Sequence, residues 1–262
     1  STDMSLPNIE DLVEPSHDER ARQGFVSMLR KHAIIDLRRA LREDYESRVE
    51  PALERQGKRP TDWRGIEAAM QGEPSYRFYS SLRYNAQEMC YLSVQPAVER
   101  ALPQLIDLAR EAATRNEAGG SLRLDPKLEV PRYVSALDVH LAPGWVHQEH
   151  TADDVSQAAV VACGGKVFLG NHPFRKRPAV IGESIAAWVK ERWPGFRPRR
   201  ILDMGTTNGK NLLPYHEAFP GVELHGIDVG APVLRFAHAL AEHEGVPVHF
   251  SQQNAEHTDF PD

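Results

Sequence analysis

The residues of this chain best placed to do chemistry stand where three short apolar runs end. The first run, Ile201-Leu202-Asp203-Met204, carries Asp203 into the glycine-bearing stretch Gly205-Thr206-Thr207-Asn208-Gly209-Lys210. Glycine lacks the Cβ that holds a ligand away from the backbone, so such a loop offers N–H groups and a helix N-terminus to a bound molecule. The second run, Val222-Glu223-Leu224-His225-Gly226-Ile227, closes on Asp228 and is followed by Val229. The third, Val246-Pro247-Val248-His249-Phe250, passes into Ser251-Gln252-Gln253-Asn254-Ala255-Glu256. Chemistry at such positions is recognition of a nucleotide-like ligand by backbone donors and strand-end acids.

The elements that would position them follow from the pattern. From Arg200 the order is strand, helix, strand, helix, strand, with helices over about 211–218 and from Pro232 to Glu244, and Gly245 as a C-cap. That alternation predicts a parallel sheet with right-handed crossovers. Ligands of such sheets bind beyond the carboxyl ends of the strands, and Asp203, Asp228 and Asn254 all fall at or just after those ends.

Three glycine-loop patterns compete for the ligand. A dinucleotide fingerprint, G-x-G-x-x-G, counted from Gly205, fails at Thr207 and at Lys210. A phosphate loop needs a wider glycine spacing, and Asn211 stands where its Ser or Thr should follow Lys210. An acid followed by glycines at alternate positions fits Asp203, Gly205 and Gly209, with Thr207 in place of the middle glycine. With Asp228 and Asn254 added, the segment from about Ile185 to Asp262 resembles the first half of a class I S-adenosylmethionine-dependent methyltransferase domain.

The resemblance implies an α/β, Rossmann-like sheet and S-adenosylmethionine as cofactor. It implies that Gly205, Thr206, Thr207 and Gly209 lie against the methionine portion and that Asp203 organises its amino group. Asp228, with Val229 beside it, would accept from the ribose hydroxyls. Asn254, where the family often has Asp, would meet the adenine amino group, and Ala255 would offer its backbone N–H to the ring. A complete core of this family has seven strands, and only the first three can be assigned here. The expectation is therefore that the natural chain continues, or that a second chain or the N-terminal region completes the sheet.

Upstream the pattern is mainly helical. Residues 1 to about 18 read as a flexible or loosely docked leader, and a helix is expected from Asp18 to about Gln56. Thr61 reads as the N-cap of a short helix containing Trp63, Ile66 and Met70. A long helical region from Ser75 to Arg115 should be divided at Pro96 and Pro103, and its Tyr76, Phe78, Tyr79, Tyr84 and Tyr91 suit core packing. From Lys127 the pattern changes: Leu128–Val130 and Tyr133–Leu141 alternate, and Ala158–Cys163, Gly164-Gly165 and Lys166–Leu169 read as a hairpin. A small antiparallel β element is thus expected, giving a helical region 1–126, a β element and linker 127–180, and the cofactor domain 181–262. Ile181 to Trp193 returns to helix.

His140, His147 and His150, beside Glu149, match no metal-ligand spacing. The stretch reads first as a surface loop; its functional expectation is that it overhangs the methyl-donor site and brings His147, His150 or Trp145 to the acceptor pocket, a histidine serving as base, with no metal called for. The net charge of -6 argues against a broad nucleic-acid footprint. Basic clusters at Arg175-Lys176-Arg177 and over 197–200 are short enough to be solvated surface. No apolar stretch is long enough to span a membrane, and two separated cysteines suit a reducing cytoplasm. The expected protein is a cytoplasmic methyltransferase of a small-molecule acceptor, with a homo-oligomer left open. Its rivals are a non-catalytic cofactor-binding or assembly protein and a nucleotide-binding enzyme with a degenerate phosphate loop.

Overall fold

Ser16 opens the first helix with a reciprocal cap, its side chain accepting from Glu19 N while Glu19 Oε2 accepts from Ser16 N at 2.8 Å. The computed structural model describes residues 5–170 and 181–261. Helix α1 (His17–Lys31) runs through π-helical turns at His32–Leu37 and Tyr45–Val49 into α2 (Arg38–Asp44) and α3 (Glu50–Arg55), and the helical path stops at Gln56 before Gly57. Helix α4 (Trp63–Met70) is capped by Asp62, not by Thr61, because the Asp62 carboxylate reaches Gly65 N at 2.8 Å. The long helical region is broken once, at Ser93-Val94, into α5 (Pro74–Leu92) and α6 (Gln95–Arg115). Pro96 sits in the first turn of α6, where no backbone donor is needed, whereas Pro103 lies inside α6 without dividing it.

The chain then gives β1 (Ser121–Arg123), α7 (Arg132–Ser135), α8 (Ser156–Leu169) and α9 (Ile181–Arg192). It ends with β2 (Arg200–Met204), α10 (Leu213–Ala218), β3 (Glu223–Asp228), α11 (Ala231–Glu244) and β4 (Val248–Gln252). The sheet has four strands in the order β1-β4-β3-β2, and every pairing is parallel. Leu224 stands against both Ile201 and Val248, which sets the register of the three C-terminal strands.

Two expectations are overturned here. The sheet does not consist of three strands, because Ser121–Arg123 of the helical region adds a fourth beside β4. Gly120 admits this pairing, since a Cβ on it would lie 2.3 Å from Val248 O. The small antiparallel element is also absent among the described residues. The supposed hairpin is α8, whose Ala158, Ala159, Val160, Ala162, Cys163 and Val167 are all buried. An unbroken apolar run has the composition of a buried strand and of a buried helix alike, so periodicity does not separate them. The alternating stretch before it holds only the short α7 and turns, and Tyr133, Leu137 and Val139 point to solvent.

From Ser5 onward the N-terminal segment is docked rather than loose. Ile9 is fully buried, with Leu6 beside it, in one core cluster with Val98, Leu105, Ala158, Phe236 and Leu240. A second cluster gathers Leu212, Phe219, Leu224, Leu234, Val248 and Phe250. Helix α11 contributes to both, which ties the helical region to the sheet. The basic triplet Arg175-Lys176-Arg177 lies outside the described residues.

Candidate functional site

The loop after β2 is folded onto the end of β3. Gly205 N and Thr206 N both donate to Ile227 O, at 2.8 and 2.9 Å. Thr207 N then donates to Asp228 Oδ2 at 3.0 Å, and Gly230 N donates to Asp228 Oδ1, also at 3.0 Å. The acid that closes β3 is therefore the organiser of both neighbouring loops. Thr206 is buried and its hydroxyl donates to Asp203 Oδ2 at 2.9 Å, which brings the acid that closes β2 to the same place.

The glycines have separate reasons. Gly205 adopts φ 76° with nothing within 4 Å of a Cβ position, so it leaves an open approach to the loop backbone. Gly209 adopts φ 71° and is packed so that a Cβ would come 2.8 Å from the Phe250 ring. Thr207, where the alternating pattern has glycine, is held at φ 47°, a left-handed conformation that an L side chain adopts at a cost of roughly 1–2 kcal/mol.

Burial pushes the Asp228 carboxyl above its ordinary range, against the backbone N–H groups of Gly230, Thr207 and Val229, which favour its charged form. Nearby Asp203 raises it further. Each Asp228 oxygen has accepted one backbone bond and retains capacity for another donor. At the end of β4, Asn254 Oδ1 accepts from Glu256 N at 3.0 Å, closing a turn that leaves Ala255 exposed. These residues suit S-adenosylmethionine in chemistry: an open glycine cradle, a strand-end carboxylate and an amide oxygen, side by side at the carboxyl ends of β2, β3 and β4.

The histidine-bearing loop reaches this region. Val146 O lies so close to Gly230 that a Cβ there would stand 2.1 Å from it. Left-handed backbone recurs along the stretch, with φ 58° at Leu141, 77° at Gly144, 43° at Trp145 and 56° at Asp153. His140 stacks on Trp145 with ring centroids 4.0 Å apart, and Gln87 of α5 donates to His140 O at 3.1 Å. His147 Nδ1 is buried with no hydrogen-bond partner among the described residues, and burial pushes its pKa down. His150 is exposed, its N–H donating to Asp154 Oδ2 and its Nε2 standing 3.3 Å from Gln157 Nε2. The three histidines do not converge, and among the described residues no group of three His, Cys, Asp or Glu is placed to hold a metal. The loop is anchored by an ion pair of Glu149 with Arg235 and by a bond from Arg235 to Asp154 O at 3.1 Å.

Residues 201–262 match the family model described as a methyltransferase domain. Over those residues the chain is similar to methyltransferase domains. A demethylmenaquinone methyltransferase of Thermus thermophilus is 40% identical over 65 residues, which cover 25% of this chain and 30% of that protein. The chain thus spans about a third of the length of the curated relative it matches. No solved structure matches the chain at a significant level. The matched segment contains β2 from Ile201 onward, β3 and β4 with all three strand-end residues, while β1 and the helices before it lie outside the match.

Residues missed in the sequence explain how the methyltransferase segment is joined to the rest. Gln252 Nε2 donates to Val229 O at 2.9 Å, and its Oε1 accepts from Asp125 N at 3.0 Å, bridging the exits of β1 and β3. Gln253 is buried, bonded to Ser251 Oγ and to Asp259 N, and so shapes the turn after β4. A polar pair ending an apolar strand was the available signal for both.

Proposed function

We propose that this chain is an S-adenosylmethionine-dependent methyltransferase that acts on a small-molecule acceptor. The observation that carries the reading is the meeting of the Gly205–Gly209 loop with Asp228 at the carboxyl ends of a parallel sheet. The family of the C-terminal segment supports methyl transfer in general. When bound, S-adenosylmethionine supplies an electrophilic methyl group on a sulfonium.

The chain's residues then have these tasks. Gly205 lets the methionine portion approach the loop, and Asp203 draws its ammonium. Asp228 accepts from the ribose hydroxyls with the capacity that Thr207 N and Gly230 N leave unused. Asn254 and the Ala255 N–H meet the adenine edge. Burial favours the neutral imidazole of His147, which suits it to take a proton from an acceptor; His150 stands further out on the same loop. Transfer otherwise depends on alignment of donor and acceptor. The acidic balance supports a small acceptor over nucleic acid. Both cysteines are free and buried, which supports a reducing, cytoplasmic setting, and no helix among the described residues is long and apolar enough to cross a membrane.

One observation favours a second reading, a non-catalytic cofactor-binding or assembly protein. Asp228 is only 5% exposed, and the Val146 backbone covers the adjacent Gly230. Isothermal titration with S-adenosylmethionine and S-adenosylhomocysteine separates the readings, with ATP and NAD as controls. The expected result is micromolar binding of the first pair, lost in Asp228→Asn, and weaker as pH falls into the raised Asp228 range, where the accepting carboxylate is protonated. Binding without turnover of any acceptor would favour the second reading, and no binding at all would remove the first.

A further inference from the structure

A charged cluster next to the glycine loop is used by none of the roles above. Glu10 is 8% exposed and lies in a single 3-10 turn, Ile9–Leu12, capped by Asn8, whose Oδ1 accepts from Glu10 N at 3.0 Å. Its carboxylate forms an ion pair with Lys210, the residue that follows Gly209, and its Oε2 lies 3.8 Å from Lys166 of α8. The turn is fixed by the fully buried Ile9, by Leu6, and by a 2.6 Å bond between His243 Nδ1 and Leu6 O.

A carboxylate buried without a partner is strongly destabilising, so Glu10 holds its place only while a lysine meets it. That requirement also acts on the lysine. Lys210 is one peptide bond from Gly209, which is wedged against Phe250, and its own N–H lies 3.4 Å from Asn208 Oδ1. The loop is thus tied at its entry to β3 through Gly205, Thr206 and Thr207, and at its exit to the N-terminal turn through Lys210.

We propose that Glu10 is a positioning residue for the glycine loop: through Lys210 it holds the Gly205–Gly209 backbone in the shape that receives the methionine portion of the cofactor. The inference rests on the methyltransferase reading for the identity of the ligand. Lys166 gives the carboxylate a second partner, so the pairing with Lys210 can be removed without stranding a buried charge.

The test uses the full chain with Glu10→Gln and, separately, Lys210→Met, titrated with S-adenosylhomocysteine. Amide hydrogen exchange is followed in parallel over 205–210, with Leu105–Ala112 of α6 as internal reference. Both variants are expected to bind about tenfold more weakly, the cost of ordering a loop that is no longer preorganised. Loop amides should exchange faster while the α6 amides do not change. The double variant should bind no more weakly than either single one, because one interaction is removed in each case. Unchanged affinity and loop exchange in both variants would overturn the proposal. So would a rise in exchange shared equally by loop and α6, which marks Glu10 as a support of the whole fold. If Glu10→Gln does not fold, Lys210→Met decides alone, since Glu10 keeps Lys166. A wild-type chain that does not bind S-adenosylhomocysteine would remove the methyltransferase reading, while the exchange measurement would still decide what Glu10 does to the loop.

Discussion

Two glycine pairs, Gly164-Gly165 and Gly205 with Gly209, invite the same reading in the sequence and have opposite structures. Both interrupt apolar runs, and both suggest a reversal of the chain. Gly205 and Gly209 do make one, with φ of 76° and 71°. Gly164 and Gly165 lie inside α8, and neither has positive φ. Gly164 is there because a Cβ would stand 2.6 Å from Tyr91 Cδ1, so the helix presses on α5 at that point. Gly165 has open space. A glycine therefore marks either a backbone conformation or a close approach, and only its three-dimensional neighbours tell which.

Substitutions at these positions test that contrast. Gly209→Ala combines a strained φ with a clash on Phe250 and should cost about 2–4 kcal/mol, read from denaturant midpoints. A loss well under 1 kcal/mol would mean that the loop exit is not wedged. Next in size is the helical pair. Gly164→Ala should cost about 1–3 kcal/mol against Tyr91, whereas Gly165→Ala should gain about 0.5–1 kcal/mol from helix propensity alone. Two equal losses would restore the hairpin. Thr207→Gly relieves a left-handed threonine but adds backbone freedom to the unfolded chain, so the net gain should be under about 1 kcal/mol.

The smallest effect concerns the helical region and acid. The Arg100 guanidinium, with Ser16 N, holds the Glu19 carboxyl down to about 2. A group whose folded pKa is depressed contributes stability above its unfolded value, and that contribution disappears as pH falls through about 2. Glu19→Gln should accordingly lower stability near neutrality by a modest amount, since the Arg100 side of the pair is half-exposed, and flatten the profile between the ordinary value of 4.5 and about 2. An unaltered acid limb in thermal melts would show that the pair contributes nothing.

The contrast also explains what could be read in advance. β2, β3, β4, α10 and α11 were legible because strand, loop and helix signals agreed over one contiguous stretch, including Gly245 as the left-handed C-cap of α11. The candidate residues Asp203, Asp228 and Asn254 could be picked out for the same reason: each stands at a change of element. What stayed hidden depends on partners far along the chain. Ser121–Arg123 is three residues long and becomes a strand by pairing with β4, which no local pattern announces. Glu10 and Lys210 meet across the whole molecule, and nothing near Glu10 distinguishes it from a solvated acid. The 127–169 stretch misled because alternation at Tyr133–Leu141 reflects exposed turns, and because α8 is apolar on nearly every side.

The strand Ser121–Arg123 has a consequence for biosynthesis. Its first residue pairs with His249, 128 positions later, and a ribosome delivers the chain from the N-terminus. Closing so large a loop is a late and entropically costly event. Helices α5 and α6 can associate early, but their outer strand must wait for β4 to be translated. Until then Leu122 lacks its parallel neighbour Phe250, and the edge of the half-made chain stays unpaired.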